Sequence, residues 1–322
     1  MNVLEVEDLR TYFFTRRGVL KAVDGVSFSL EEGEALGLVG ESGCGKSITA
    51  LSILKLVPAP AGKIVDGKIR LRGEDILQKS DKQMTLIRGK KISMILQDPM
   101  SSLNPVFTVG NQVAESFRVH QGIKGSVLRQ KIMDILRQLR IPSPETRVHS
   151  YPHQLSGGMR QRVVGAIAIS CQPDVLIADE PTTSLDVTIQ AQYLRVLKDI
   201  QTQFKMALIF ISHDLGVVAN MCRRIAVMYA GRIVEQATTE EIFDHPAHPY
   251  TAGLIRSLPK IGSKSERLTS IEGQPPSLYN LGAGCRFAPR CKKASEVCFS
   301  QYPPATQLSA SHYVHCWWPE GT

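Results

Sequence analysis

The chain has 322 residues, 43% of them hydrophobic and 21% charged, enough for one large α/β domain with an appendage and too long for a small disulfide-stapled scaffold. Lys plus Arg outnumber Asp plus Glu by 38 to 30, yet the basic residues run no longer than pairs (Arg16-Arg17, Lys90-Lys91, Arg223-Arg224, Lys292-Lys293), so the +8 surplus reads as solvated surface and no nucleic-acid partner is expected. No apolar stretch approaches the roughly 18 residues of a membrane helix, and acids at Glu5, Glu7 and Asp8 stand where a signal peptide is basic and then apolar, so a cytoplasmic chain is expected.

Over the first 35 residues apolar and polar positions alternate (Val3, Leu4, Val6, Leu9; then Val26, Phe28, Leu30) around the turn-like Thr15-Arg16-Arg17-Gly18, which predicts short antiparallel strands. The apolar run 35–39, followed by glycines and a helix-compatible stretch over 46–56, predicts a buried strand, a loop and a helix. Similar runs recur at 92–96, 175–178, 207–211 and 225–228, and their alternation with helical segments predicts a mostly parallel sheet covered on both faces. Between Pro99 and about Pro152 the segments 113–119 and 127–139 have helical spacing, which predicts a helical insertion. After about Gly262 the chain turns to Gly, Pro, Ser and Cys, a composition of loops rather than of a packed core.

Gly40-Glu41-Ser42-Gly43-Cys44-Gly45-Lys46-Ser47 fits the phosphate-binding loop pattern and lies between a predicted strand and a predicted helix. Its glycines let backbone N–H groups from the loop and the helix start, through Ser47 and Ile48, converge on phosphate oxygens. Lys46 would reach the β- and γ-phosphates and the Ser47 hydroxyl would ligate Mg²⁺; Cys44, inside the loop, is set apart from a metal role. The strand 175–178 runs into Asp179 and Glu180, an arrangement that brings Asp179 to the Mg²⁺ shell and leaves Glu180 facing the γ-phosphate. Leu155-Ser156-Gly157-Gly158-Met159-Arg160-Gln161 then supplies a second anion-binding helix start, for which one chain has no obvious use around one γ-phosphate.

With these residues in place the sequence resembles the ABC-type ATPases, whose signature LSGGQ stands here with Met159 in place of the final Gln. The resemblance implies a P-loop NTPase of α/β class, with a RecA-like mixed sheet, an N-terminal antiparallel β subdomain and a helical subdomain over about 99–165. It implies that Ser156, Gly157 and Gly158 close over ATP held by the loop of another subunit. Gln97 matches the Q-loop, which touches Mg²⁺ and the attacking water and senses the membrane partner; Ser184-Leu185-Asp186 matches the D-loop, and His213 the switch histidine at the γ-phosphate. Phe13 aligns with the aromatic that stacks on adenine, with Tyr12 or Phe14 as alternatives and a core role also open.

His245-Pro246-Ala247-His248-Pro249-Tyr250-Thr251, with Leu258-Pro259, is similar to the extension of dipeptide and oligopeptide permease ATPases, and divides the chain into an ATPase domain, 1–258, and a loop-rich extension, 259–322. His245 and His248 themselves read as part of a proline-rich turn without a ligand role. Cys285, Cys291, Cys298 and Cys316 offer four thiols from a segment poor in apolar residues, where bound metal would supply cross-links. Their intervals match neither the tight pairs of zinc sites nor ferredoxin patterns. Some permease ATPases of this kind carry a [4Fe–4S] cluster on such a set; zinc, free thiols and disulfides stay open, as do structural and redox-sensing roles.

The resemblance implies an ATP-hydrolysing subunit that powers peptide import, with Glu180, His213 and Lys46 at the chemistry. Its implied partners are two transmembrane permease subunits, a second related ATPase (a different chain or a copy of this one) and a substrate-binding protein, and its implied place is the cytoplasmic face of the cell membrane. Rivals are the same motor serving nickel, a metal chelate or another small solute, in either direction, and a soluble nucleic-acid clamp.

Overall fold

The computed structural model describes residues 2–183, 185–258 and 270–320; Ser184 of the expected D-loop, Pro259 and the start of the extension lie outside the described residues. The described residues divide into two compact units, one built from residues 2–4 with Ser29–Ala35 and Arg70–Ile211, the other from Glu5–Phe28, Leu36–Ile69 and the described residues from Ser212 on.

In chain order the elements begin with β1 (Asn2–Thr15), β2 (Gly18–Glu31), β3 (Ala35–Val39), α1 (Lys46–Ile53), β4 (Gly62–Leu71), β5 (Glu74–Asp75), α2 (Asp81–Met84) and β6 (Ile92–Ile95). Four helices follow, α3 (Pro99–Ser102), α4 (Val109–Gln121), α5 (Gly125–Gln138) and α6 (Pro144–Arg147), and then α7 (Gly157–Ile169), β7 (Val175–Asp179), α8 (Val187–Phe204) and β8 (Ala207–Ser212). The chain continues through α9 (Leu215–Met221), β9 (Arg224–Tyr229), β10 (Arg232–Thr238), α10 (Thr239–Asp244), α11 (Pro249–Arg256), α12 (Glu296–Ser300), β11 (Thr306–Gln307) and β12 (Tyr313–Val314).

In the first unit β6, β7 and β8 form a parallel ladder, with Ile92 opposite Val175 and Asp179 opposite Ile211. Every residue of β7 and β8 is buried, which is why their sequences are apolar up to the closing Asp179 and Ser212 rather than alternating. The expected helical insertion is α3 to α6. Its two long helices bury the stripes Val109, Val113, Ala114, Phe117 and Leu128, Ile132, Ile135, Leu136, at the spacing of one helix face. Thr108 caps α4 by accepting from the Asn111 N–H at 3.3 Å, and Gly122, at φ +67°, ends it in the left-handed conformation.

In the second unit β1 and β2, joined by two residues, run 14 residues each, longer than the alternation predicted. The pattern breaks at Asp8 (φ +44°) and Gly25 (φ +87°), but these are irregularities inside continuous strands: a Cβ on Gly25 would lie 3.0 Å from Asp8 Oδ1. β4 lies beside β1, giving the order β2-β1-β4.

The larger sheet of this unit runs β3-β9-β10-β12-β11, parallel between β3 and β9 and antiparallel from there on. β9 and β10 make a tight hairpin whose two linking residues, Ala230 and Gly231, both have positive φ (+45° and +86°). Periodicity does not reveal β10, because a bulge between Ile233 and Glu235 shifts its register. The C-terminal region departs from the expected loops. It adds β11 and β12 to the sheet edge and buries Phe287, Ala288, Cys298 and Val314. Among the described residues no helix is long and apolar enough to cross a membrane.

Candidate functional site

The loop from Gly40 to Lys46 leaves the buried strand β3 and enters α1 with Gly45 at its N-cap. Gly40 (φ +152°) and Gly45 (φ +108°) are required twice over, since a side chain at either would strike the backbone oxygen of Met228 or of Ala22. Lys46 is buried, and its Nζ donates to the loop's own carbonyls, Gly40 O at 2.8 Å and Glu41 O at 3.1 Å. Cys44 packs inside the loop with its thiol pushed up by burial, consistent with a filler rather than a ligand. Ser42 and Gly43 are exposed on the loop; Ser47, also exposed, and the partly buried Ile48 open the helix.

Two residues of the C-terminal region hold this loop from outside. The Glu41 N–H donates to the Tyr250 hydroxyl at 2.9 Å, and the Glu41 carboxylate accepts a forked pair from Arg290, Nη1 at 2.9 Å and Nη2 at 3.1 Å. Tyr250 is placed by α11, where His248 is the N-cap and Pro249 the first residue. His248 Nδ1 accepts from the Tyr250 N–H at 3.0 Å, and burial holds its imidazole down at about 4. His248 is therefore a neutral buried cap, with its Nε2 buried beside the cavity that Cys285 and Cys316 line.

The first unit assembles a separate constellation beyond its parallel strands. Glu180, just past β7, sits at φ +45°, and its N–H donates to Ile211 O at 2.9 Å. Its carboxylate accepts from Gln97 Nε2 and from Thr183 Oγ1, both at 3.0 Å. Asp179, the last residue of β7, is 4% exposed. Within this unit the Gln97 amide and Asp179 carboxylate oxygens are hard donors of the kind that suits Mg²⁺, as is the Ser47 hydroxyl in the other unit.

The signature segment opens α7. Ser156 caps it, accepting from the Met159 N–H at 3.3 Å, and Arg160 Nε donates to Pro152 O and Leu155 O at 2.9 and 3.0 Å, which fixes the turn before the helix. The two glycines differ. A Cβ on Gly158 would meet Ile189 Cγ2 at 2.5 Å, whereas one on Gly157 would meet nothing within 4 Å.

His213 is exposed, one residue past β8 and beside Asp214, whose carboxylate caps α9. Phe13 is half-buried in β1 with its ring edge against Gly62. Tyr12 is committed elsewhere, since its hydroxyl donates to Asp24 at 2.5 Å, and Phe14 is exposed. Burial alone would raise the Asp24 carboxyl, but the Tyr12 hydrogen bond and the Arg286 and Arg232 guanidinium charges outweigh it and hold Asp24 down to about 2.

Cys285, Cys291, Cys298 and Cys316 all line one small cavity of about 20 Å³, walled by Phe287 and Trp317. None is in a disulfide. Burial pushes Cys316 up to about 11, and the charges of the other three thiols add to the shift. The expected metal site is not borne out by the geometry: among the described residues no three His, Cys, Asp or Glu groups gather so as to hold a metal ion, which gives neither zinc nor an iron–sulfur cluster a ready-made site.

Arg290, Tyr250, Glu41 and Thr183 escape the sequence reading. Tyr250 and Arg290 were visible only as parts of a proline-rich turn and of a cysteine spacing, and each meets Glu41 across more than 200 residues of chain.

Residues 23–183 match the family model described as ABC transporter, and residues 234–298 match the oligopeptide/dipeptide transporter C-terminal region. The chain is 48% identical over 316 residues to the probable peptide ABC transporter ATP-binding protein y4tR of Sinorhizobium fredii, covering 98% of this chain and 94% of that protein. It is 49% identical over 315 residues to the dipeptide transport ATP-binding protein DppD of Bacillus subtilis, with the same coverage. Among solved structures, the ATP-binding cassette MJ0796 shares the fold, with TM-score 0.66 and 24% identity over 73% of this chain and 98% of that one. The cbiO1 structure from Clostridium perfringens has TM-score 0.65 and 26% identity over 76% of this chain and 91% of that one. By its motifs, its fold and this full-length similarity, the chain belongs to the ABC transporter family.

Proposed function

We propose that the chain is the ATP-hydrolysing subunit of a membrane importer of dipeptides or oligopeptides. The observation that carries the chemistry is the Glu180 carboxylate held by Gln97 and Thr183 beyond a buried strand, in a chain that also holds a complete phosphate loop. Glu180 acts as the general base or water-polarising group, and Lys46 and His213 stabilise charge on the γ-phosphate. Ser47, Asp179 and Gln97 would hold Mg²⁺, which neutralises phosphate charge when bound. The loop amides from Gly40 to Ile48 cradle the phosphates and Phe13 stacks on adenine. Ser156, Gly157 and Gly158 face the nucleotide of a second ATPase subunit, a related but different chain. Residues 1–258 form the ATPase domain and the remainder the extension.

The same reading places the chain at the cytoplasmic face of the membrane, on two permease subunits served by a substrate-binding protein. The similarity of residues 234–298 to the oligopeptide/dipeptide transporter C-terminal region supports peptide as the cargo class. The test is a reconstituted transporter: Lys46→Ala weakens nucleotide binding, and peptide uptake and ATP turnover fall together. ATP turnover stimulated by nickel or a metal chelate but not by peptide overturns the cargo assignment.

The four thiols hold a [4Fe–4S] cluster with a structural role, supported by their convergence on one cavity. Anaerobically purified protein then carries about four iron and four sulfide per chain, and Cys291→Ser loses both. Stoichiometric zinc without sulfide overturns it.

A further inference from the structure

Glu41 is gripped on two sides by the C-terminal region, through its N–H by Tyr250 and through its carboxylate by Arg290. The ion pair is shielded: the Arg290 side chain is 6% exposed and that of Glu41 25%. Arg290 is itself fixed in orientation. Its Nε donates to Glu272 O at 2.9 Å, Nη2 to Ile271 O at 3.2 Å and Nη1 to the Tyr229 hydroxyl at 3.2 Å. Phe287 packs against Tyr229 and Tyr250, with ring centroids 5.3 and 5.4 Å away, so the segment that carries Arg290 is wedged in place.

The gripped residue touches the loop's working lysine, because Lys46 Nζ donates to Glu41 O at 3.1 Å. A loop with three glycines at positive φ (Gly40, Gly43, Gly45) loses much conformational freedom when it closes on phosphates. A clamp that fixes Glu41 beforehand lowers that cost and tightens binding without touching the chemical step.

We propose that Arg290 is a positioning residue for the phosphate loop, acting through Glu41 to hold the loop in the conformation that binds the triphosphate. The inference rests on the reading of residues 40–47 as the ATP-binding loop and adds a C-terminal determinant of nucleotide affinity to it. Lys cannot reproduce the forked pair, so it replaces Arg290 only in part.

The test uses the full chain, with a fluorescent ATP analogue to measure binding, and the assembled transporter to measure ATP turnover. R290Q and E41Q each weaken binding about tenfold, the double variant weakens it no further, and R290K falls between. In turnover, KM rises while kcat stays within about twofold, the split expected for lost ground-state binding. E41Q keeps the C-terminal sequence intact and leaves an amide to hydrogen-bond Arg290, so it decides the matter alone if R290Q does not fold. Affinity unchanged in E41Q and R290Q, effects that multiply in the double variant, or a fall in kcat at constant KM each overturns the proposal. K46A separates the two levels: if it weakens binding while R290Q and E41Q do not, only the clamp is wrong, and if it too binds like the parent, the loop assignment fails with it.

Discussion

Gln97 donates its side-chain amide to Glu180 at 3.0 Å, and the two stand in register, each two residues beyond the paired Ile95 and Ala178 of neighbouring parallel strands. Both residues lie just past the same end of the parallel ladder, and Glu180 turns out of its strand at φ +45°. Glu180→Gln is expected to keep ATP binding while turnover falls on the order of 10²-fold or more, the loss typical of a positioned catalytic group. Turnover in the reconstituted transporter checks this, and an unchanged rate rejects the role given to Glu180.

The two signature glycines make a contrast within one motif. Gly158→Ala places a methyl 2.5 Å from Ile189 Cγ2 and should lower the melting temperature, whereas Gly157→Ala meets open space. If Gly157 serves a nucleotide on a second subunit, Gly157→Ala melts like the parent yet lowers turnover in the assembled transporter. Parent-like turnover in that variant would count against an intersubunit site.

Asp24 ties stability to pH. Its carboxyl drops from an ordinary 3.8 to about 2 in the folded chain, held by Tyr12, Arg286 and Arg232. A carboxyl depressed on folding stabilises fully above its unfolded value, and that stabilisation, about 2 kcal/mol, drains away as pH falls from about 4 to about 2. The gap in urea stability between the parent and Asp24→Asn should narrow by about 1 kcal/mol between pH 7 and pH 3. A constant gap contradicts the assignment.

Glu235 is fully buried in β10, where it accepts from the Ala247 and His248 N–H groups at 2.7 and 2.8 Å and pairs with His312 Nε2 at 2.7 Å. It thus joins the sheet to the start of α11 and to the residues before β12. Glu235→Ala leaves these partners buried without it and should cost about 3 kcal/mol or more, read as a lower urea midpoint. A shift below about 0.5 kcal/mol would show that the cluster adds no stability.

Gly40 to Ser47, Leu155 to Gln161 and the strand into Asp179-Glu180 were legible because their chemistry is local. A phosphate loop needs glycines and a lysine at fixed offsets, and a strand buried on both faces is apolar almost throughout, so sequence alone determined the ATPase class and located these motifs. The hairpin β9–β10 was half legible: β9 is an apolar run, but the bulge after Ile233 and the buried Glu235 break the alternation that marks a strand. Only the tertiary structure could bring Arg290 and Tyr250 to Glu41, gather four scattered thiols around one cavity, or place Gln97 beside Glu180. Such contacts depend on how strands and turns far apart in the chain pack together, and no period or spacing along the chain encodes that distance.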